Sequence, residues 1–150
     1  MEKLNFPNYN VIIKNKENKS YIFDRVRKKW LICTKEEWVR VHCVNFLIET
    51  KGYPASWILI EKEIKVYETK KRFDIVVSNL RGENHILIEC KAPSISITQE
   101  TFDQIARYNL SLKSRFLMVT NGFDHYFCQM DYKNKRYSFL KDLPNHIAIS

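Results

Sequence analysis

The chain has 150 residues, 45% hydrophobic and 28% charged, a composition that excludes a disordered or fibrous polymer and fits one domain, 1–150, around one core. No apolar stretch approaches the roughly 20 residues of a membrane-crossing helix, and Met1–Asn10 has neither an apolar h-region nor a small-residue cleavage site, so a cytoplasmic protein with no membrane partner is expected. A formal net charge of +8, from 25 Lys and Arg against 17 Asp and Glu, is the sign that attracts a polyanion and steers it in a salt-dependent way.

Residues 9–13 and 20–24 read as short extended pieces separated by a turn-like Lys14–Lys19. Thr34 followed by Glu37 has capping-box spacing, and Trp38, Val41, Val44, Leu47 and Ile48 then recur at helical intervals. The reading is a helix over 35–50, closed at Gly52. Residues 57–67 are apolar and β-branched. Residues 72–78 and 85–91 flank Asn79–Asn84, a Gly-containing hairpin loop. A second helix is expected over about 97–112, with Ser96 and Gln99 as its capping box and Phe102, Ile105, Ala106 and Leu110 on its apolar face. A strand at 115–120 and a hairpin of 124–130 with 135–140 complete the chain. The predicted fold is α/β: an αβββαβ core over about 34–122, a mixed central sheet flanked by helices, and β extensions at both ends.

Cys33, Cys43, Cys90 and Cys128 form no CxxC pair, and His42, His85, His125 and His146 are scattered; the spacing fits neither a zinc site nor a disulfide framework. The chemistry-bearing residues are Asp74, Glu89 and Lys91, charges inside otherwise apolar strands. Glu89 and Lys91 are two apart and share a face. Hairpin pairing of 72–78 with 85–91 lets Asp74 join them. Two carboxylates about 4 Å apart repel by roughly 4 kcal/mol at an effective dielectric near 20. A hard divalent cation, Mg²⁺ or Mn²⁺, removes that repulsion. It also activates water against a phosphate, and Lys91 can orient that water or stabilise the growing negative charge. The bland alternative is an ordinary set of strand ion pairs.

Phe73-Asp74 followed by Glu89-Cys90-Lys91 resembles the D…(D/E)xK signature of PD-(D/E)XK nucleases, with Phe73 where Pro is usual. Thr34-Lys-Glu-Glu-Trp-Val-Arg40, Lys51-Gly-Tyr-Pro54, Arg72-Phe-Asp-Ile-Val-Val77, Ile86-Leu-Ile-Glu-Cys-Lys-Ala-Pro93, Phe102-Asp-Gln-Ile-Ala-Arg-Tyr-Asn109 and Thr120-Asn-Gly122 resemble the N-terminal domain of type I restriction enzyme R proteins. The resemblance implies metal ligation by Asp74 and Glu89, the Cys90 backbone carbonyl as a third ligand, and a catalytic role for Lys91. It also implies that Gln104 and Tyr108, four apart on one helix face, position the scissile phosphate or Lys91. Glu37 fits an acidic position beside the metal in relatives, yet is also the natural N3 member of the capping box. Arg40 can contact phosphate or pair with Glu37, and Glu61 and Glu63 are further acidic candidates. The implied activity is Mg²⁺-dependent endonucleolytic cleavage of DNA, with subunits of a restriction or repair complex as protein partners. A catalytically silent module that keeps the fold and binds nucleic acid or protein is the competing expectation. No GxxxxGK[ST] phosphate loop occurs in these residues, so they are not expected to drive translocation.

Overall fold

Two threonines start the two helices. In the computed structural model, which describes residues 1–66 and 69–147 without the side chains of 64, 66 and 69, the Thr34 hydroxyl accepts the Glu37 N–H at the head of α1 (Lys35–Asn45). Thr98 does the same for Thr101 at the head of α2 (Gln99–Leu112). Ser96 is therefore not the cap of α2. The box at Thr34 is only half closed, because the Glu37 carboxylate turns to Arg40 and Thr34 N–H bonds to Ile32. The expected helix 35–50 changes geometry midway. Beyond Asn45 it widens into a π-type turn over Phe46–Thr50, with Lys51 N–H reaching back to the Phe46 carbonyl. Gly52 then takes φ +78°, a left-handed conformation that costs glycine little.

The strands are β1 (Ile13–Lys16), β2 (Lys19–Asp24), β3 (Lys29–Ile32), β4 (Ile58–Val66), β5 (Thr69–Ser78), β6 (Asn84–Cys90), β7 (Phe116–Thr120), β8 (His125–Asp131) and β9 (Arg136–Leu140). The last residue of the expected strand 57–67 lies outside the described residues. Six strands form a mixed sheet in the order β4-β5-β6-β7-β8-β9. Only β6 and β7 run parallel within it, joined by the α2 crossover, as a parallel connection requires.

The N-terminal extension departs from expectation. Residues 9–12 run as irregular chain, with Phe6 and Tyr9 packed against the core on the α1 side and the Tyr9 hydroxyl bonded to Thr50. The strand begins only at Ile13, the last residue of the piece expected over 9–13, runs on into the segment read as a turn, and pairs with β2 across Glu17 and Asn18 at φ 53° and 64°. Positive φ at both central residues is the signature of a type I′ hairpin. An unforeseen strand, β3, completes a separate three-stranded sheet.

Helices cover both faces of the large sheet. On one, α1 and the π-type turn after it place Val39, Cys43, Val44 and Leu47 against Ile75, Val77, Ile86, Ile88 and Met118. On the other, α2 places Phe102, Ile105, Ala106 and Leu112 against Phe73, Val76, Leu87, Leu117 and Val119. Leu110, assigned to the apolar face of α2, is 54% exposed. Asn109 holds the inward position, fully buried and bonded to Ser114 and Tyr132. No helix among the described residues is long and apolar enough to cross a membrane.

Candidate metal centre between two strands

Alternation along β6 sends Ile86, Ile88 and Cys90 toward α1 and leaves Leu87, Glu89 and Lys91 on the α2 side. The β5–β6 register, Ile75 opposite Ile88 and Val76 opposite Leu87, continues to set Asp74 opposite Glu89. Asp74 marks a break in β5. Ile75 and Val77 belong to the α1-side core, but Phe73 and Val76, three apart, both belong to the α2-side core. Opposite the break, between the pairs Ile60–Ile75 and Lys62–Phe73, Glu61 sits at φ +54°. A non-glycine residue held there within a strand is strained by the order of 1–3 kcal/mol, and the kink re-aims the side chains around Asp74.

Asp74 and Glu89 meet across the two strands. Asp74 Oδ2 accepts the Cys90 N–H at 2.8 Å, and Asp74 N–H points to Glu89 Oε1 at 3.4 Å. Burial, then the adjacent Asp74 charge, pushes Glu89 up to about 8. Burial also raises Asp74, against the opposing Cys90 N–H bond. Two carboxyl groups in partial burial cannot both be ionised cheaply. The Cys90 thiol faces the other way, 3.6 Å from that of Cys43, and all four cysteines are free.

Lys91 follows β6, its N–H bonded to the Thr120 carbonyl of the parallel neighbour β7. Glu89 and Lys91 line a cleft of about 140 Å³, walled on the helix side by Gln104 and Tyr108 and on the strand side by Phe73 and Lys71. Lys71 Nζ lies 4.3 Å from the centre of the Tyr108 ring. Four of the five residues singled out as catalytic thus share one cleft, and the fifth, Asp74, adjoins Glu89.

Glu37 is engaged elsewhere. Its carboxylate holds Arg40 through Nε at 2.7 Å and Nη2 at 2.5 Å. Arg40, only 3% exposed, also reaches Asp24 at 3.1 Å. Glu61 pairs with Arg27 and Arg72, and Glu63 with Lys70. The α1 acid that senses the site is Glu36, which the sequence reading passed over. Partial desolvation raises it first, then the charge of Asp74, with Lys91 opposing. Recognising that Glu37 and Arg40 are one helical turn apart, and so pair, was the available signal. Among the described residues no group of three His, Cys, Asp or Glu side chains forms a ready metal cluster. What the site offers is the two carboxyl groups of Asp74 and Glu89.

The Asp24–Arg40–Glu37 network beside the site is buried and structural. Burial opposes the charge of Asp24, but hydrogen bonds from Arg27 and the charge of Arg40 outweigh it and hold its carboxyl below the usual range. Its stabilising contribution is therefore present above about pH 4 and lost as pH falls through the lowered folded value. Arg40→Ala is expected to destabilise the fold by about 1–3 kcal/mol, because it removes buried charge-assisted hydrogen bonds to Asp24 and Glu37 while Asp24 keeps those from Arg27 and Val26. Denaturant unfolding at pH 7 measures this.

Over residues 35–144 the sequence matches the family described as type I restriction enzyme R protein N terminus (HSDR_N). No curated protein sequence matches the chain. Among solved structures, a fragment described as an HsdR subunit of a type I restriction enzyme from Vibrio vulnificus YJ016 superposes with a TM-score of 0.54 at 18% identity, a likeness of fold, over 75% of this chain. This chain spans 24% of that one. The match to the family covers most of the α1-to-β9 region just described, and the chain belongs to the type I restriction enzyme R protein N-terminal family.

Proposed function

We propose that this chain is a metal-dependent DNA nuclease domain with a PD-(D/E)XK type of site in a restriction-endonuclease-like core. The observation that carries the reading is the juxtaposition of Asp74 and Glu89, with the Asp74 N–H pointing to Glu89 Oε1, beside a cleft that Glu89 shares with Lys91, Gln104 and Tyr108. The αβββαβ order of α1, β4, β5, β6, α2 and β7 and membership of the family support it.

The donor set fits a hard cation. Two carboxyl groups that resist joint ionisation gain from a divalent ion between them, and oxygen donors suit Mg²⁺ or Mn²⁺. Asp74, Glu89 and the Cys90 carbonyl would hold it, with Glu36 rather than Glu37 as the acidic neighbour from α1. Such an ion, when bound, supplies Lewis acidity toward a phosphoryl oxygen and lowers the pKa of a bound water. The chain's own residues do the rest. Lys91 presents an ammonium to the charge that develops on the scissile phosphate. The Gln104 amide and Tyr108 hydroxyl orient that phosphate from α2, and Lys71 packs over the tyrosine ring. The net charge of +8 draws the DNA backbone in, and docking on further subunits of a restriction complex brings the domain to its target.

Relaxation of supercoiled plasmid in Mg²⁺ or Mn²⁺ tests the reading. Wild type is expected to nick or linearise the plasmid, and Asp74→Ala to do neither. Equal background nicking by both rejects it. The second reading, a silent module, is favoured by the lack of a three-side-chain metal cluster among the described residues. It predicts salt-dependent DNA binding with no metal uptake in calorimetry.

A further inference from the structure

The N-terminal sheet lies outside the site described above. Its pairing sets Lys14 opposite Tyr21, Lys16 opposite Lys19, Tyr21 opposite Ile32 and Phe23 opposite Trp30. Paired residues stand on the same face, and neighbours along a strand alternate. Ile22 and Asp24, 0% and 1% exposed, turn inward, Asp24 toward Arg40 of α1. The other face carries Lys14, Lys16, Lys19, Tyr21, Trp30 and Ile32.

That face is both basic and aromatic. Trp30 is 37% exposed and Ile32 56%. Phe23 braces Trp30 edge-on at a ring separation of 5.2 Å, and Lys14 Nζ stands 4.3 Å over the indole. None of the paired residues on this face is acidic. Among the described residues Lys14, Lys16 and Lys19 form no ion pair. The sheet is also fastened beside the carboxyl pair: Arg27, in the β2–β3 turn, binds Glu61 at 3.1 Å, and Glu61 lies opposite the Asp74 break in β5.

We propose that this face binds single-stranded nucleic acid, with bases stacked on Trp30 and Tyr21 and phosphates on Lys14, Lys16 and Lys19. Open aromatic surface accepts the π-face of any base, and flanking ammonium groups neutralise the backbone. A duplex hides its base faces and gains nothing from the indole. A base arriving on Trp30 displaces the Lys14 ammonium toward the adjoining phosphate, so both contacts serve one ligand. The inference does not depend on hydrolysis.

The test is fluorescence anisotropy of labelled dT20 with the 150-residue chain in EDTA, from 50 to 200 mM salt. Trp30→Ala is expected to weaken binding about tenfold and Trp30→Tyr to stay within about threefold of wild type, since stacking tolerates any aromatic ring. The triple variant Lys14→Gln, Lys16→Gln, Lys19→Gln, all at exposed positions, should lower the slope of log K against log salt by about 2. Asp74→Ala should bind like wild type, which separates this inference from the hydrolytic reading. Competition by rU20 as strong as by dT20 supports the same stacking chemistry. Circular dichroism checks the fold, and if Trp30→Ala unfolds, Trp30→Tyr and the lysine variant decide. Wild-type affinity and salt slope in the lysine variant overturn the proposal, as does displacement of the label by a 20-bp duplex as readily as by dT20.

Discussion

Lys91→Ala is expected to lower plasmid cleavage by about 10²–10³-fold while leaving Mn²⁺ uptake within about twofold of wild type. The magnitude is that of removing one preorganised charge aimed at a developing oxyanion. The split between activity and metal binding follows from position. Lys91 lies beyond the end of β6 and faces the cleft with Gln104 and Tyr108, whereas the oxygens that would hold the ion belong to Asp74, Glu89 and the Cys90 backbone. Asp74→Ala should lose both properties together. Removal of the lysine also removes a charge that favours ionisation of Asp74 and Glu89, so metal affinity in Lys91→Ala should fall slightly if it moves at all. Calorimetric titration of Mn²⁺ beside single-turnover cleavage measures the two quantities separately. Undiminished cleavage by Lys91→Ala would remove the lysine from the mechanism. Loss of metal binding in step with cleavage would make it structural.

The parts of the fold legible in the sequence are those in which burial writes a period into the chain. The α1 segment announces itself through its capping threonine and apolar spacing, α2 through apolar spacing alone, and β5 and β6 through apolar runs around a glycine-containing loop. Convergence of Asp74 and Glu89 was legible for the same reason: strand alternation and hairpin register are geometric rules. The β1 strand was not legible, because all four of its residues are exposed and no side of it is selected for apolar residues. Residues 9–13 misled in the opposite sense. Tyr9 packs on the core from irregular chain, Ile12 and Ile13 are exposed, and pairing begins only at Ile13.

Two details near the site needed coordinates. The break in β5 lies opposite Glu61 at positive φ, and no propensity scale places a glutamate there. The proposed exchange of Glu37 for Glu36 turns on an ion pair. Both acids lie in the first turn of α1, and only the position of the buried Arg40 guanidinium decides which one remains for the strands. Leu110 and Asn109 teach the same lesson on α2. Helical period assigned the leucine inward, but the amide of Asn109 satisfies the Ser114 backbone there, and an unpaired buried polar group outweighs the few kcal/mol of one leucine.

Glu89→Gln should make the metal-free protein more stable while abolishing cleavage. Glu89 is held up to about 8 by burial and by Asp74, above its unfolded value near 4.3. A carboxyl with a raised folded value binds more protons folded than unfolded between those limits. Its penalty therefore grows as pH rises from about 4.5 and is complete above about 8. Glutamine keeps the shape and carries no charge. At pH 8.5 we expect a gain of about 1–3 kcal/mol, or roughly 3–10 °C in Tm for a chain of this size, shrinking toward pH 5. Mn²⁺ should reverse the order. Binding to the folded state alone raises the Tm of wild type and leaves Glu89→Gln nearly unmoved, because the ion has lost the carboxylate that made its site unfavourable without it. Below pH 8, wild-type metal affinity should climb toward tenfold per pH unit, since uptake displaces one proton. A glutamine variant less stable than wild type at pH 8.5, or a wild type whose Tm ignores Mn²⁺, would mean that the strain at residue 89 has nothing to do with a cation. On the proposed reading, instability and function are coupled at this site: a pair that is costly to fold without an ion would gain most by holding one.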